Sequence, residues 1–151
     1  MKFLVLFILF VGCNSQQNNS KVTNLEVTPQ NTVQENYFLG KWTFSEKKYD
    51  SKEGKKNFPL HECMKKYTLN FEKDGSNLIL IKSYATGKDC SITSSSGKYI
   101  LSFDHQFIKY EEGDLKTIFE YKIYNETKFS LIYKEILNGS FTTIEDIYIK
   151  Q

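Results

Sequence analysis

Arginine is missing from this chain; lysine supplies all 20 of its basic residues. Arginine provides the planar, bidentate grip on phosphate and carboxylate and stacks on bases, so its absence counts against a nucleic-acid interface. The charge balance agrees. The 20 lysines face 18 acids, whereas a nucleic-acid binder carries a strongly basic face. No nucleic-acid partner is expected. Histidine is nearly missing too: His61 and His105 are the only two, they form no HExxH pair, and no Gly-x-Ser-x-Gly elbow occurs. Catalysis needs acid–base or nucleophilic groups gathered within hydrogen-bond reach in a concave site. The sequence therefore reads as a non-enzyme that needs no cofactor. Glu111-Glu112-Gly113-Asp114 lacks the spaced ligands of a calcium loop and reads as a hairpin turn.

What is present begins at the N-terminus, where Lys2 is followed by nine consecutive apolar residues, Phe3 to Val11. A bilayer-spanning helix needs about 20, so the run suits the core of a signal peptide. With Gly12 and Cys13 after it, the segment resembles a bacterial lipoprotein signal, in which the peptidase cuts before the cysteine and the thiol carries the lipid. Phe10 and Val11 stand where that pattern usually has Leu and then Ala or Ser. The resemblance implies a signal peptide over 1–12, lipidation of Cys13 and attachment to a membrane of the cell envelope. Asn14 replaces the aspartate that retains enterobacterial lipoproteins at the inner membrane. This implies the outer membrane, facing either the periplasm or the surface. Cys63 and Cys90 are then left as a pair, and an even pair in an exported protein reads as a disulfide. Closing that loop is worth roughly 3–4 kcal/mol. The alternative is a metal site drawing on His61 and His105, but neither CxxC nor HxxxH spacing is present, which leaves the zinc pattern weak.

Ten of the 23 residues from Asn14 to Asn36 are Asn or Gln, and none is aromatic. Such a stretch buries too little apolar surface to offset its ordering entropy, so 13–36 reads as a disordered tether. From Tyr37 the texture changes. All 20 aromatic residues beyond the signal fall between Tyr37 and Tyr148. Their period is two, the mark of strands. Tyr67, Leu69 and Phe71 alternate with polar residues up to Lys73-Asp74-Gly75; Phe119, Tyr121 and Ile123 repeat the pattern, then Phe129, Leu131 and Tyr133, then Ile147 and Ile149 after Asn138-Gly139-Ser140. The segments predict strands near 40–48, 66–72, 76–84, 88–104 with an interruption at Ser96-Gly97, 106–111, 115–124, 127–136 and 141–150. Short links imply antiparallel neighbours. Eight such strands close well into an up-and-down barrel, which removes exposed edges; an open sandwich is the other solution.

Leu39-Gly40-Lys41-Trp42 opens the first strand with the only tryptophan. Gly-x-Trp at this place resembles the lipocalin signature, where the glycine permits a tight bend and the indole closes one end of the barrel. Cys63, the strand Tyr67–Phe71, the turn Asp74-Gly75, Cys90 and then Ser96-Gly97-Lys98-Tyr99 follow in an order that is similar to the short lipocalin-like domain of exported lipoproteins of the Bacteroidetes. The resemblance covers residues 37–151 and implies a lipocalin-like, eight-stranded antiparallel β-barrel. Gly40 and Trp42 would then close one end, and a small hydrophobic molecule would be the expected partner. The chain departs from full-length lipocalins in having no arginine to pack over the tryptophan. An eight-stranded barrel is just wide enough to be filled by side chains or to hold one small ligand. The inward aromatic set Tyr67, Phe71, Tyr99, Phe119, Tyr121 and Tyr133 would line a cavity in one case and pack a solid core in the other. Phe58 sits in the Lys-rich segment 49–62, the first connecting loop, which in lipocalin-type barrels covers the mouth. A filled barrel would instead serve as a rigid scaffold for another envelope protein.

Overall fold

A computed structural model describes residues 35–102 and 105–151. The expected signal peptide, the lipidation site Cys13 and nearly all of the tether lie outside them. A helical turn over residues 35–38 leads into β1 (Gly40–Ser51), β2 (Gly54–Asn57), a 3-10 turn (Glu62–Lys66), β3 (Thr68–Asp74), β4 (Asn77–Thr86), β5 (Ser91–Ser102), β6 (Phe107–Glu112), β7 (Leu115–Asn125), β8 (Lys128–Leu137) and β9 (Ser140–Lys150).

Each strand from β3 to β9 pairs antiparallel with the next. The near end of β1 pairs β3 over Gly40–Thr43, and β1 also pairs β9 from Trp42↔Lys150 to Tyr49↔Ile144. That second pairing closes an eight-stranded antiparallel barrel of β1 and β3–β9, so the sandwich is excluded. A bulge between Phe44 and Glu46 shifts the phase of β1 and turns Lys47 and Tyr49 to the face that Trp42 and Phe44 occupy. The links are short because their chemistry allows it. Asn138 and Gly139 both take positive φ, 52° and 79°, the geometry of the tight hairpin turn that matches strand twist.

Two sequence expectations change. Segment 49–62 is not simply a loop: β2 folds back on β1 from Lys48↔Asn57 to Ser51↔Gly54. The strand through Ser96-Gly97 is unbroken. A Cβ at Gly97 would lie 2.2 Å from the Glu111 carbonyl oxygen, so the residue marks a close approach of β5 to β6 rather than an interruption.

The core fills one end of the barrel. Phe38, Trp42, Phe71 and Phe129 are fully buried there. Phe38 meets Tyr121 and Phe129 edge-on at 5.1 and 5.2 Å, and Trp42 meets Phe129 at 4.7 Å. Such pairs add about 0.5–1.5 kcal/mol each beyond the area they bury. The indole N–H of Trp42 donates to the Phe38 carbonyl at 2.7 Å, which ties the helical turn over the barrel end. Lys150 places its ammonium 5.0 Å from the Trp42 ring and donates to the Tyr37 carbonyl at 2.9 Å. A lysine thus covers the tryptophan, in the place for which the resemblance calls for an arginine.

On the outer wall, Glu145 is only 3% exposed. Lys55 of β2 reaches it at 2.5 Å, Ser130 donates to it at 2.9 Å, and the Tyr124 hydroxyl also donates. This cluster fastens β2 to the barrel wall.

Candidate ligand cavity

Above the packed end, the barrel interior opens into a cavity of about 300 Å³. Its walls come from the inward phases of several strands. Leu69 and Tyr67 stand on and just before β3, Leu80 and Tyr84 on β4, Phe119 on β7, Leu131 and Tyr133 on β8, and Tyr148 on β9. Two charged residues, Lys82 of β4 and Asp146 of β9, share this lining. In sequence each occupies the phase of its apolar neighbours: Lys82 lies between Leu80 and Tyr84, Asp146 between Ile144 and Tyr148.

The Asp146 side is a small polar network. Tyr133 donates its hydroxyl to Oδ2 of Asp146 at 2.9 Å, and the Lys47 ammonium lies 3.2 Å from both the Tyr133 oxygen and a Glu135 carboxylate oxygen. Oδ1 of Asp146 is closed to solvent and has no hydrogen-bond partner among the described residues. Burial pushes the Asp146 carboxyl above its usual range, against the opposing field of Lys47. Burial also raises the Tyr133 and Tyr148 hydroxyls far above the ordinary tyrosine value. On the other side, the Lys82 ammonium sits 3.9 Å from the Tyr110 ring. Burial holds it below the usual lysine range, with Glu112 acting in the opposite direction. Tyr110 in turn donates to Glu112 at 2.7 Å.

The aromatic residues singled out in the sequence divide between the two halves of the barrel. Tyr67, Phe119 and Tyr133 line the cavity. Phe71, Tyr99 and Tyr121 lie in the buried core beneath it, with Phe71 against Tyr99 at 5.1 Å. Phe58 lies apart from the cavity, in a shallow groove with Ser45, Lys47 and Leu60, because its backbone N–H bonds to the Lys47 carbonyl at 2.7 Å and holds the chain against β1. Gly40 and Trp42 stand at the packed end, where Trp42 is fully buried. Lys82 and Asp146 were passed over in the sequence, although a charge in an apolar phase of a strand was the signal that could have found them.

Cys63 and Cys90 form a disulfide with Cα atoms 5.0 Å apart, which fastens the 3-10 turn to the β4–β5 connection at the open end. His61 lies within reach of both sulfurs, but their bond to each other leaves no thiolate for a metal. His61 instead accepts the Cys63 backbone N–H at 3.2 Å. His105 is exposed and stacks on Phe107. Gly113 and Asp114 form the tight β6–β7 hairpin turn between the paired residues Glu112 and Leu115, as the sequence suggested.

A family model described as a lipocalin-like domain matches residues 38–131. Among solved structures, insecticyanin from the tobacco hornworm Manduca sexta is similar at 12% identity, covering 77% of this chain and 62% of that one, with a TM-score of 0.53. The chain thus spans about three fifths of the insecticyanin length. The siderocalin Ex-FABP is 9% identical over 76% of this chain and 74% of its own, TM-score 0.48. Bovine odorant-binding protein, in complex with its natural ligand, is 11% identical over 76% and 72%, TM-score 0.45. No curated protein matches.

Proposed function

Starting from the chain's membership of the lipocalin-like domain family, we propose that it holds a small apolar or amphipathic molecule non-covalently in the upper half of the barrel, at the cell envelope. The observation that carries this reading is the cavity of about 300 Å³ with a mostly apolar, ring-rich wall. Ligand sites of this kind are concave and largely apolar, with a few placed polar groups. The Tyr67, Tyr84 and Tyr148 rings supply flat apolar faces, while Lys82 and Asp146 supply the polar groups. The packed lower half makes the site a blind cup rather than a channel, so a ligand enters and leaves by one end. The role is carriage or sequestration, without bond chemistry. The N-terminal segment, ending in Gly12-Cys13, supports a lipid anchor on Cys13 and attachment to the outer membrane, with residues 14–36 as the tether.

Mass spectrometry of the protein purified from its own host tests both parts. Under native conditions a bound small molecule is expected, released on denaturation. Under denaturing conditions, lipid mass on Cys13 is expected. A bare native mass, together with failure of the mature chain to bind the apolar dye N-phenyl-1-naphthylamine, would refute ligand carriage. An unmodified Cys13 would refute the anchor.

A further inference from the structure

Lys82 is the residue of the cavity whose chemistry is left open. It enters the barrel where the strand's alternation calls for an apolar side chain. A half-buried ammonium is costly to desolvate unless it is paired. Among the described residues Lys82 has the Tyr110 ring face at 3.9 Å and the field of Glu112, but no hydrogen-bond acceptor for its three N–H groups. Glu112 is itself engaged by the Tyr110 hydroxyl. The carboxyl on the opposite wall differs. Asp146 already accepts the Tyr133 hydroxyl through one oxygen, and its other oxygen is closed to solvent. Lys47, the further cation on that side, bonds to Tyr133 and Glu135. The lining therefore offers a ligand one cation that lacks an acceptor, and no equally accessible anion.

We propose that the cavity takes an amphipathic molecule with an anionic head of the carboxylate type, its head on Lys82 and its apolar body against the rings of Tyr67, Phe119 and Tyr148. This rests on the cavity reading above. A carboxylate at Lys82 forms a charge-assisted hydrogen bond in a low-dielectric site, stronger than the same contact in water. A cationic head there would meet like charge.

The test is displacement of N-phenyl-1-naphthylamine from the mature chain, residues 13–151 with Cys13→Ser, by three molecules sharing one apolar body: 3-phenylpropanoate, 3-phenylpropan-1-ol and 3-phenylpropylamine. The acid is expected to displace the dye at a concentration at least about tenfold below the alcohol, a difference of about 1.4 kcal/mol, with the amine weakest. Lys82→Met should bring the acid to the level of the alcohol or above it while the alcohol still binds. Lys82→Gln should do the same and serves if the methionine variant does not fold. An alcohol that matches the acid overturns the inference. So does an amine that binds best, which would put the polar anchor at Asp146, or an acid preference that survives in both variants. Dye binding without acid preference removes this inference alone; no dye binding overturns it as well and, together with a bare native mass, removes the cavity reading with it.

Discussion

Replacing Glu145 by glutamine is expected to cost about 2–3 kcal/mol of stability at neutral pH and almost nothing near pH 2. Burial alone would push this carboxyl up, but the bonds from Lys55, Tyr124 and Ser130 outweigh burial and hold it at about 2 rather than its ordinary 4.5. Each tenfold gain in the preference for the ionised form is worth about 1.4 kcal/mol, so a fall from 4.5 to about 2 sets an upper figure of about 3.5 kcal/mol. Lys55 is half exposed, so screening trims it. A depressed carboxyl stabilises the fold above its unfolded pKa and loses that contribution as pH falls through its folded one. The window is therefore between 4.5 and about 2. Asp146 runs the opposite way, since burial raises its pKa and acid relieves the cost of its charge. A single acid-unfolding curve mixes the two groups; the difference between wild type and Glu145→Gln isolates Glu145, because glutamine has the shape of the protonated acid. Urea unfolding followed by Trp42 fluorescence, repeated from pH 7 to pH 2.5, measures that difference. A gap that stays constant over this range, or is absent at pH 7, would refute the assignment.

Two further substitutions probe the frame around the site. Gly97→Ala should lower stability by roughly 2–3 kcal/mol, because the new methyl would sit 2.2 Å from a backbone oxygen that cannot move without parting β5 from β6; an unshifted urea midpoint would show that the strands can part freely. Removing the disulfide with Cys63→Ser and Cys90→Ser opens a link between positions 27 apart and should cost about 3.5 kcal/mol. Hydrogen exchange should quicken over Glu62–Lys66 and leave β8 and β9 protected, and equal loss of protection everywhere would mean that the link does not act locally.

The strands were legible because their inward positions are apolar and repeat every second residue: Phe129, Leu131 and Tyr133 of β8 read the same way in sequence and in space. Strand phase could say which face a residue shares but not how far along the barrel axis it sits. Phe71 and Tyr133 therefore looked equivalent, although one lies in the packed end and the other on the cavity. β2 was hidden because Gly54–Asn57 carries no apolar alternation and all four residues are exposed; it exists through its ladder to β1. Phe38 was hidden because it precedes the first strand and reaches the core by a helical turn. The cover on Trp42 was invisible for a different reason. Lys150 performs it from the far end of the sequence, and neither propensity nor period connects the two.

The closure of the barrel also says something about when the fold can exist. Trp42 lies opposite Lys150, so the seam joins strands from opposite ends of the described chain. Until β9 docks, β1 is held only by its four-residue ladder to β3 and its own hairpin with β2, and both β1 and β8 present open edges of the kind that recruit other strands. Local hairpins can form early, but the long-range pairing must wait for the whole sequence. A half-made copy is therefore not a smaller stable barrel. It is a sticky sheet, and protection from self-association arrives in the same step as the finished interior.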